Sequence, residues 1–324
     1  MDTTTSDRIE TLVRDSDRIW VTCHKAPDGD AIGSSLGLMW GLRQLGKECV
    51  PACSDPVPSA FGFLPGAHEI SASKPTDEEL IIVLDCGSID RVGRLYDPDQ
   101  FERVPVVNID HHTTNTHFGD VNLVRETAAT AEIVYSLLVG LGAQITEDIA
   151  TCLLTGLSTD TRSFRTSNTT VDTLRIATAL METGASLAEI AHRVYDQMPF
   201  CAADLWGRAL RRAKLRGRIA WTEITKKMIG EANAPLAVTR GIVSFLASMR
   251  EADVAIVLRE NDHEGIVDVE MRSVPGVDVA QVALSLGGGG HAQASGCTMV
   301  GDLGEIREQV LRAVEDSLNT QSSD

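Results

Sequence analysis

Four short segments bring together residue types that could do chemistry. His24-Lys25-Ala26-Pro27-Asp28-Gly29-Asp30 holds an imidazole and two carboxylates, and Pro27 and Gly29 favour a tight, non-helical loop in which they converge. Asp110-His111-His112 sets a carboxylate beside two adjacent histidines. Asp85 ends the apolar run ELIIVLD, and Asp160 lies in STDTRSFRTSNTT. Taken singly, each has a bland reading: Asp30 as the cap of a following helix, Asp85 as a turn residue, Asp160 as a loop residue. Taken together, His24, Asp28, Asp30, Asp85, Asp110, His111 and Asp160 mix hard oxygen donors with imidazoles. Such a set suits a pair of divalent ions such as manganese better than a cysteine-rich zinc site. Two ions about 3.5–4 Å apart stabilise both the attacking and the leaving oxygen of an in-line displacement at phosphorus. They also remove the repulsion among clustered carboxylates.

Short β-branched runs followed by helical patterns position these residues. RIWVTC (18–23), ELIIVLD (79–85) and VPVVNID (104–110) read as buried strands. Helices are expected over 31–46, 128–142, 146–158 and 170–183. Strands alternating with helices argue for an α/β domain built on a parallel sheet, with ligands gathered beyond the strands' carboxyl ends. Three of those ends deliver His24, Asp85 and Asp110. The Arg-rich stretch 191–215, broken at Pro199, reads as a connecting helical linker. Strands over 218–225, 252–260 and 265–273, with helices over 239–251 and 278–286, form a second, smaller α/β domain. The expected division is 1–190, 191–215 and 216–324, and the polar tail NTQSSD is expected to fray.

The 324 residues suit two domains of ordinary size. Asp and Glu number 46 against 29 Lys and Arg, a formal charge of −17 that argues against a basic groove for long nucleic acid. Aromatic residues are 4% of the chain, too few for an extended base-stacking track. No apolar run reaches the roughly 20 residues of a membrane span. The opening MDTTTSDRIE does not resemble a signal peptide, so a cytoplasmic protein is expected. Seven cysteines form neither a CxxC pair nor a zinc-ribbon spacing and read as reduced, structural residues. Gly287-Gly288-Gly289-Gly290-His291 is costly in backbone entropy, which suggests close approach to a ligand. Its N–H groups could form a phosphate nest, with Arg272 and Ser273 as a clamp.

Five stretches, in this order and spacing, carry a resemblance: HKAPDGDAIGSSLGL (24–38), VLDCGSIDRVG (83–93), NIDHHTTNTHFG (108–119), STDTRSFRTSNTT (158–170) and RSVPGVDVAQVA…GGGGHAQASGCT (272–298). The chain resembles the DHH family of phosphoesterases, and within it the nanoRNases that also act on 3′-phosphoadenosine 5′-phosphate (pAp). The resemblance implies that His24, Asp28 and Asp85 hold one manganese, and that Asp30, Asp85, His111 and Asp160 hold a second, with Asp85 bridging. It implies that Asp110 orients His111, and that His112 faces the scissile phosphate. It assigns the glycine-rich second domain to the substrate's end, through Arg272, Ser273, Gly288, Gly289, Gly290 and His291, with the active site in the cleft between the domains. Ser295 departs mildly from the small apolar residue more usual there. The implied substrates are short oligoribonucleotides and pAp, and the implied assembly is a homodimer through the first domain. Three alternatives stand beside this: a phosphodiesterase of linear or cyclic dinucleotides, a pyrophosphatase or polyphosphatase, and a nucleotide-binding regulator without catalysis.

Overall fold

Alternation along the apolar runs decides the first layer of structure. In the computed structural model, which describes residues 3–239, 241–261 and 263–321, each run becomes a strand whose successive side chains enter different cores. The chain divides into two compact units, Met1–Gln197 and Met198–Asp324.

The first unit runs α1 (Thr3–Asp15), β1 (Arg18–Cys23), α2 (Gly29–Gln44), β2 (Glu48–Ala52), β3 (Leu80–Leu84), α3 (Pro98–Arg103), β4 (Val106–Asp110), β5 (Val121–Val124), α4 (Thr130–Gly140), α5 (Glu147–Asp160), α6 (Val171–Glu182) and α7 (Leu187–Ala191). Its five strands are all parallel, in the order β2-β1-β3-β4-β5. Ile19, Val21, Leu80 and Ile82 face a large core shared with α2, α4 and α5. Trp20, Ile81 and Val83 face a smaller one with Phe101 and Leu95. The chain leaves β1 toward one edge, at β2, and returns to the other side of β1, at β3. The carboxyl ends of β1 and β3 therefore flank the point where strand order reverses, where α/β sheets bind ligands.

Two strands of this unit escaped the sequence reading, as did β6 (Lys214–Arg216), β10 (Gly289–His291) and β11 (Ala294–Val300) of the second. β2 contains Pro51, which interrupts a strand pattern but is tolerated on an edge, and β5 has only four residues.

The second unit runs α8 (Phe200–Leu210), β6 (Lys214–Arg216), β7 (Ile219–Ile224), α9 (Lys226–Ala232), α10 (Ile242–Leu246), β8 (Val254–Glu260), β9 (Ile266–Ser273), α11 (Ala280–Ser285), β10 (Gly289–His291), β11 (Ala294–Val300) and α12 (Leu303–Gln321). Its mixed sheet has the order β10-β11-β9-β8-β7-β6, with β7 and β8 parallel and the other neighbours antiparallel. α11 and α12 cover one face, and α8, α9 and α10 the other.

Three expectations change. The stretch 191–215 is not a free-standing linker, because Ala202, Leu205 and Ala209 of α8 are buried in the second unit's core and Lys214–Arg216 joins its sheet. The helix expected over 239–251 shortens to α10, entered through Gly241 in a left-handed conformation. Helix α12 carries the tail through Gln321; Ser322, Ser323 and Asp324 lie outside the described residues. All seven cysteines are unpaired, and six are buried. Among the described residues no helix is long and apolar enough to cross a membrane.

Candidate metal centre

β1, β3 and β4 end side by side, and each hands over one polar residue. His24 follows β1 and is 4% exposed; Asp85 follows β3 and is 1% exposed. Asp110 closes β4 and is fully buried, followed by His111 and His112. Asp85 adopts φ +52°, a left-handed conformation unfavourable for a residue with a Cβ, while its N–H bonds the Ile109 carbonyl at 2.9 Å. Backbone strain of this kind is maintained where the surroundings over-determine it.

Asp160 arrives by helix packing. α2 and α5 run antiparallel in close contact, because glycines recur every fourth residue along one face of α2. A Cβ on Gly33 would overlap the Cys152 carbonyl oxygen, and one on Gly37 would lie 2.6 Å from Leu153 Cδ2. Across the same seam, a Cβ on Gly156 would lie 2.6 Å from Asp30 Oδ1. The start of α2 thus meets the end of α5, and Asp30 meets Asp160.

Among the donor sets that result, two are linked by Asp85. One ligand atom from each of His24, Asp28 and Asp85 lies within 4.8 Å of the others, and the same holds for Asp30, His111 and Asp160. Asp85 touches both sets: its Oδ2 is 3.5 Å from His24 Nε2, and its Oδ1 is 3.4 Å from His111 Nε2. His111 Nε2 is also 3.3 Å from Asp160 Oδ2. The tautomers suit ligation. His24 Nδ1 faces the Lys25 carbonyl at 2.8 Å and His111 Nδ1 faces the Thr127 carbonyl at 3.2 Å. A carbonyl only accepts, so Nδ1 carries a proton in each ring and Nε2 turns to the carboxylates.

The electrostatics fit a pair of dications. Burial, with the charges of Asp85 and Asp28, pushes the Asp30 carboxyl well above its usual range. Burial, with Asp30 and its neighbours, does the same to Asp160. Burial opposes ionisation of Asp85 too, but the hydrogen bond from His24 and the nearby His112 and His111 hold it below the carboxylate range. Burial lowers His24, yet Asp85 and Asp28 outweigh it and lift the imidazole to about 9. Bound dications would oppose these upward shifts, favouring ionised carboxylates and a neutral imidazole.

The bland reading of Asp30 and the implied role of Asp110 both change. Asp28, not Asp30, caps α2, its Oδ1 accepting from the N–H groups of Asp30 and Ala31 at 3.1 Å each. Asp30 instead caps α4 from another element, accepting from Thr130 N–H at 2.6 Å and Ala131 N–H at 3.0 Å. The orienting of His111, expected of Asp110, falls to Thr127. Asp110 Oδ1 accepts from His112 Nδ1 at 2.7 Å and from the His111 backbone N–H at 2.8 Å. Asn115 Nδ2 donates to Asp110 Oδ2 at 2.5 Å and to Asn108 Oδ1 at 2.8 Å. Thr127, Thr130, Asn108 and Asn115 were missed. Asn108 and Asn115 lie inside a segment singled out by its histidines, while Thr127 and Thr130 carry no local signal.

In the second unit the glycine run is partly explained by the sheet. Gly289–His291 is β10, an antiparallel edge strand against β11. A Cβ on Gly288 would overlap the Gly296 carbonyl oxygen, and one on Gly290, at φ +137°, would lie 2.5 Å from that of Ala294. Gly287, at φ +82°, and Gly289 face open space. Register sets His291, Ala294 and Arg272 in one row across β10, β11 and β9, and in-register side chains share a face. The Ser273 hydroxyl donates to the Val277 carbonyl at 2.5 Å, which ties it to its own loop.

The chain matches the DHH family, N-terminal domain, over residues 18–157 and the DHHA1 domain over 222–320. It is 37% identical, over 93% of its length and 90% of the relative's, to a bifunctional oligoribonuclease and PAP phosphatase NrnA of Thermus thermophilus. It is 26% identical, over 96% of its length, to a cyclic-di-AMP phosphodiesterase GdpP of Geobacillus thermodenitrificans, of which it covers 49%. An exopolyphosphatase-related protein from Bacteroides fragilis has the same fold, with a TM-score of 0.91 at 24% identity, over 99% of this chain and 98% of that one. With two donor sets joined through one carboxylate, and with this likeness along nearly its whole length, the chain belongs to the DHH family of metal-dependent phosphoesterases.

Proposed function

We propose that this protein hydrolyses short oligoribonucleotides to mononucleotides and removes a phosphate from pAp, using two manganese ions. The observation that carries the reaction is Asp85, which offers one oxygen to each donor set; the substrates rest on the likeness to the Thermus enzyme. His24, Asp28 and Asp85 would hold one ion, and Asp30, Asp85, His111 and Asp160 the other. Bound dications supply positive charge that polarises the phosphoryl group and acidifies water. The protein's own residues do the rest. Asp110 fixes the His112 ring through Nδ1, which suits His112 to face the scissile phosphate and offset its charge. In the second unit Arg272 and His291, aligned on one row, hold a terminal phosphate, with Gly289 leaving the backbone accessible. Cytoplasmic placement and a homodimer belong to the same reading.

The test is direct. Purified protein with manganese should convert di- to pentanucleotides to mononucleotides and pAp to AMP, chelator should abolish both activities, and manganese should restore them. Absence of product from every one of these substrates would overturn the proposal. The relative acting on cyclic-di-AMP favours a second reading, hydrolysis of linear or cyclic dinucleotides, which the same assay resolves with those substrates added.

A narrower outcome separates grip from metal binding. His291→Ala should raise KM for pAp about tenfold, the size of one charge-assisted phosphate contact. Its manganese isotherm should match the wild type. Loss of manganese from this variant, read by calorimetry, would contradict the division of labour.

A further inference from the structure

We propose that Thr130 is a positioning residue for the metal pair, its hydroxyl fixing which oxygen of Asp85 serves which donor set. The inference rests on the two-metal reading above. A carboxylate turns easily about its last torsion, where the energy wells are broad and roughly two-fold. A bridging aspartate therefore needs a fixed partner to keep its two oxygens distinct. Thr130 Oγ1 donates to Asp85 Oδ1 at 3.0 Å. That is the oxygen facing His111, while Oδ2 faces His24.

The donor is itself immobile. Thr130 is fully buried, and its branched Cβ restricts χ1. It is the first residue of α4, whose N-cap position, Ala129, offers no side-chain cap. Asp30 takes that role, bonding the N–H groups of Thr130 and Ala131. One residue thus grips Asp85 through its hydroxyl and Asp30 through its backbone, tying the bridging ligand to a carboxylate of the second donor set. The partial positive charge of the α4 N-terminus also faces the Asp30 carboxylate, through the Thr130 and Ala131 N–H groups. The left-handed backbone of Asp85 is anchored as well, its N–H bonding the Ile109 carbonyl at 2.9 Å.

The hydroxyl and the backbone act separately, and substitution can divide them. Thr130→Val keeps the shape and the Asp30 cap and removes only the hydroxyl; Thr130→Ser restores it. Manganese titrations of the whole chain, by calorimetry and electron paramagnetic resonance, should show the weaker-binding ion about 10- to 100-fold less tightly held in Thr130→Val, as for other outer partners of metal ligands. Thr130→Ser should stay within threefold of the wild type, and the resonance signal of coupled manganese should weaken only in the valine variant. If Thr130→Val does not fold, Thr130→Ala against Thr130→Ser makes the same comparison. Wild-type isotherms and an unchanged coupled signal in the hydroxyl-free variant would overturn the assignment. A wild-type chain that binds no manganese pair would instead overturn the two-metal reading on which it rests.

Discussion

The Asp85→Ala variant is expected to lose hydrolysis of every substrate, by about 10³-fold or more, because the lost stabilisation of transition-state charge amounts to several kcal/mol and each 1.36 kcal/mol is tenfold in rate. Asp85 has three engagements that no neighbour can assume: Oδ2 toward His24, Oδ1 toward His111, and the Thr130 hydroxyl. Its removal leaves His24 and Asp28 as a two-donor fragment and separates the two sets. Asp85→Asn keeps the volume and one carbonyl oxygen but loses the charge, so it should fail nearly as badly. Initial rates on pAp and a dinucleotide, with manganese per chain measured by elemental analysis, check both variants. Activity within tenfold of the wild type, or two ions retained in the alanine variant, would remove Asp85 from the centre of the site. Thermal melting in chelator keeps an unfolded protein from being mistaken for an inactive one.

The second large effect lies away from any ligand. Gly33→Leu should yield no folded protein, and Gly33→Ala should lose about 1–3 kcal/mol, the usual cost of overpacking. The reason is the α2–α5 seam. A Cβ at Gly33 meets the Cys152 carbonyl, which belongs to backbone and cannot rotate aside. The helices would have to separate, and Asp30 and Asp160 would separate with them. Gly140→Ala is the control, since a Cβ there meets nothing within 4 Å and an exposed helical glycine gains from the change. Urea denaturation in chelator reads the stability, and manganese titration of Gly33→Ala reads the site. A Gly33→Leu variant with wild-type denaturation would show that the seam tolerates a wider spacing.

The strand ends were legible because their cause is local. Val, Ile and Leu in short runs make buried parallel strands, and polar residues at their carboxyl ends must face the ligand edge. His24, Asp85 and Asp110 stand there as their positions in the sequence suggest. The helix at 239–251 was less legible, because a left-handed Gly241 and a short α10 depend on packing against β8 and β9. The glycine run shows the same limit. Two of its glycines answer to β11 rather than to a ligand, and only the pairing of the strands reveals it.

The amino-acid sequence by itself determined which side chains have the chemistry of a dinuclear site, and that three of them end parallel strands. Residue type and strand period are properties of neighbours in the chain, so they are written there. Only the tertiary structure decided that Asp28 caps α2 while Asp30 caps α4, that Thr127 rather than Asp110 orients His111, and that Asp160 meets Asp30. Those outcomes turn on how closely α2 approaches α5 and where α4 begins. Both are set by contacts between residues about 100 positions apart, which no local spacing records.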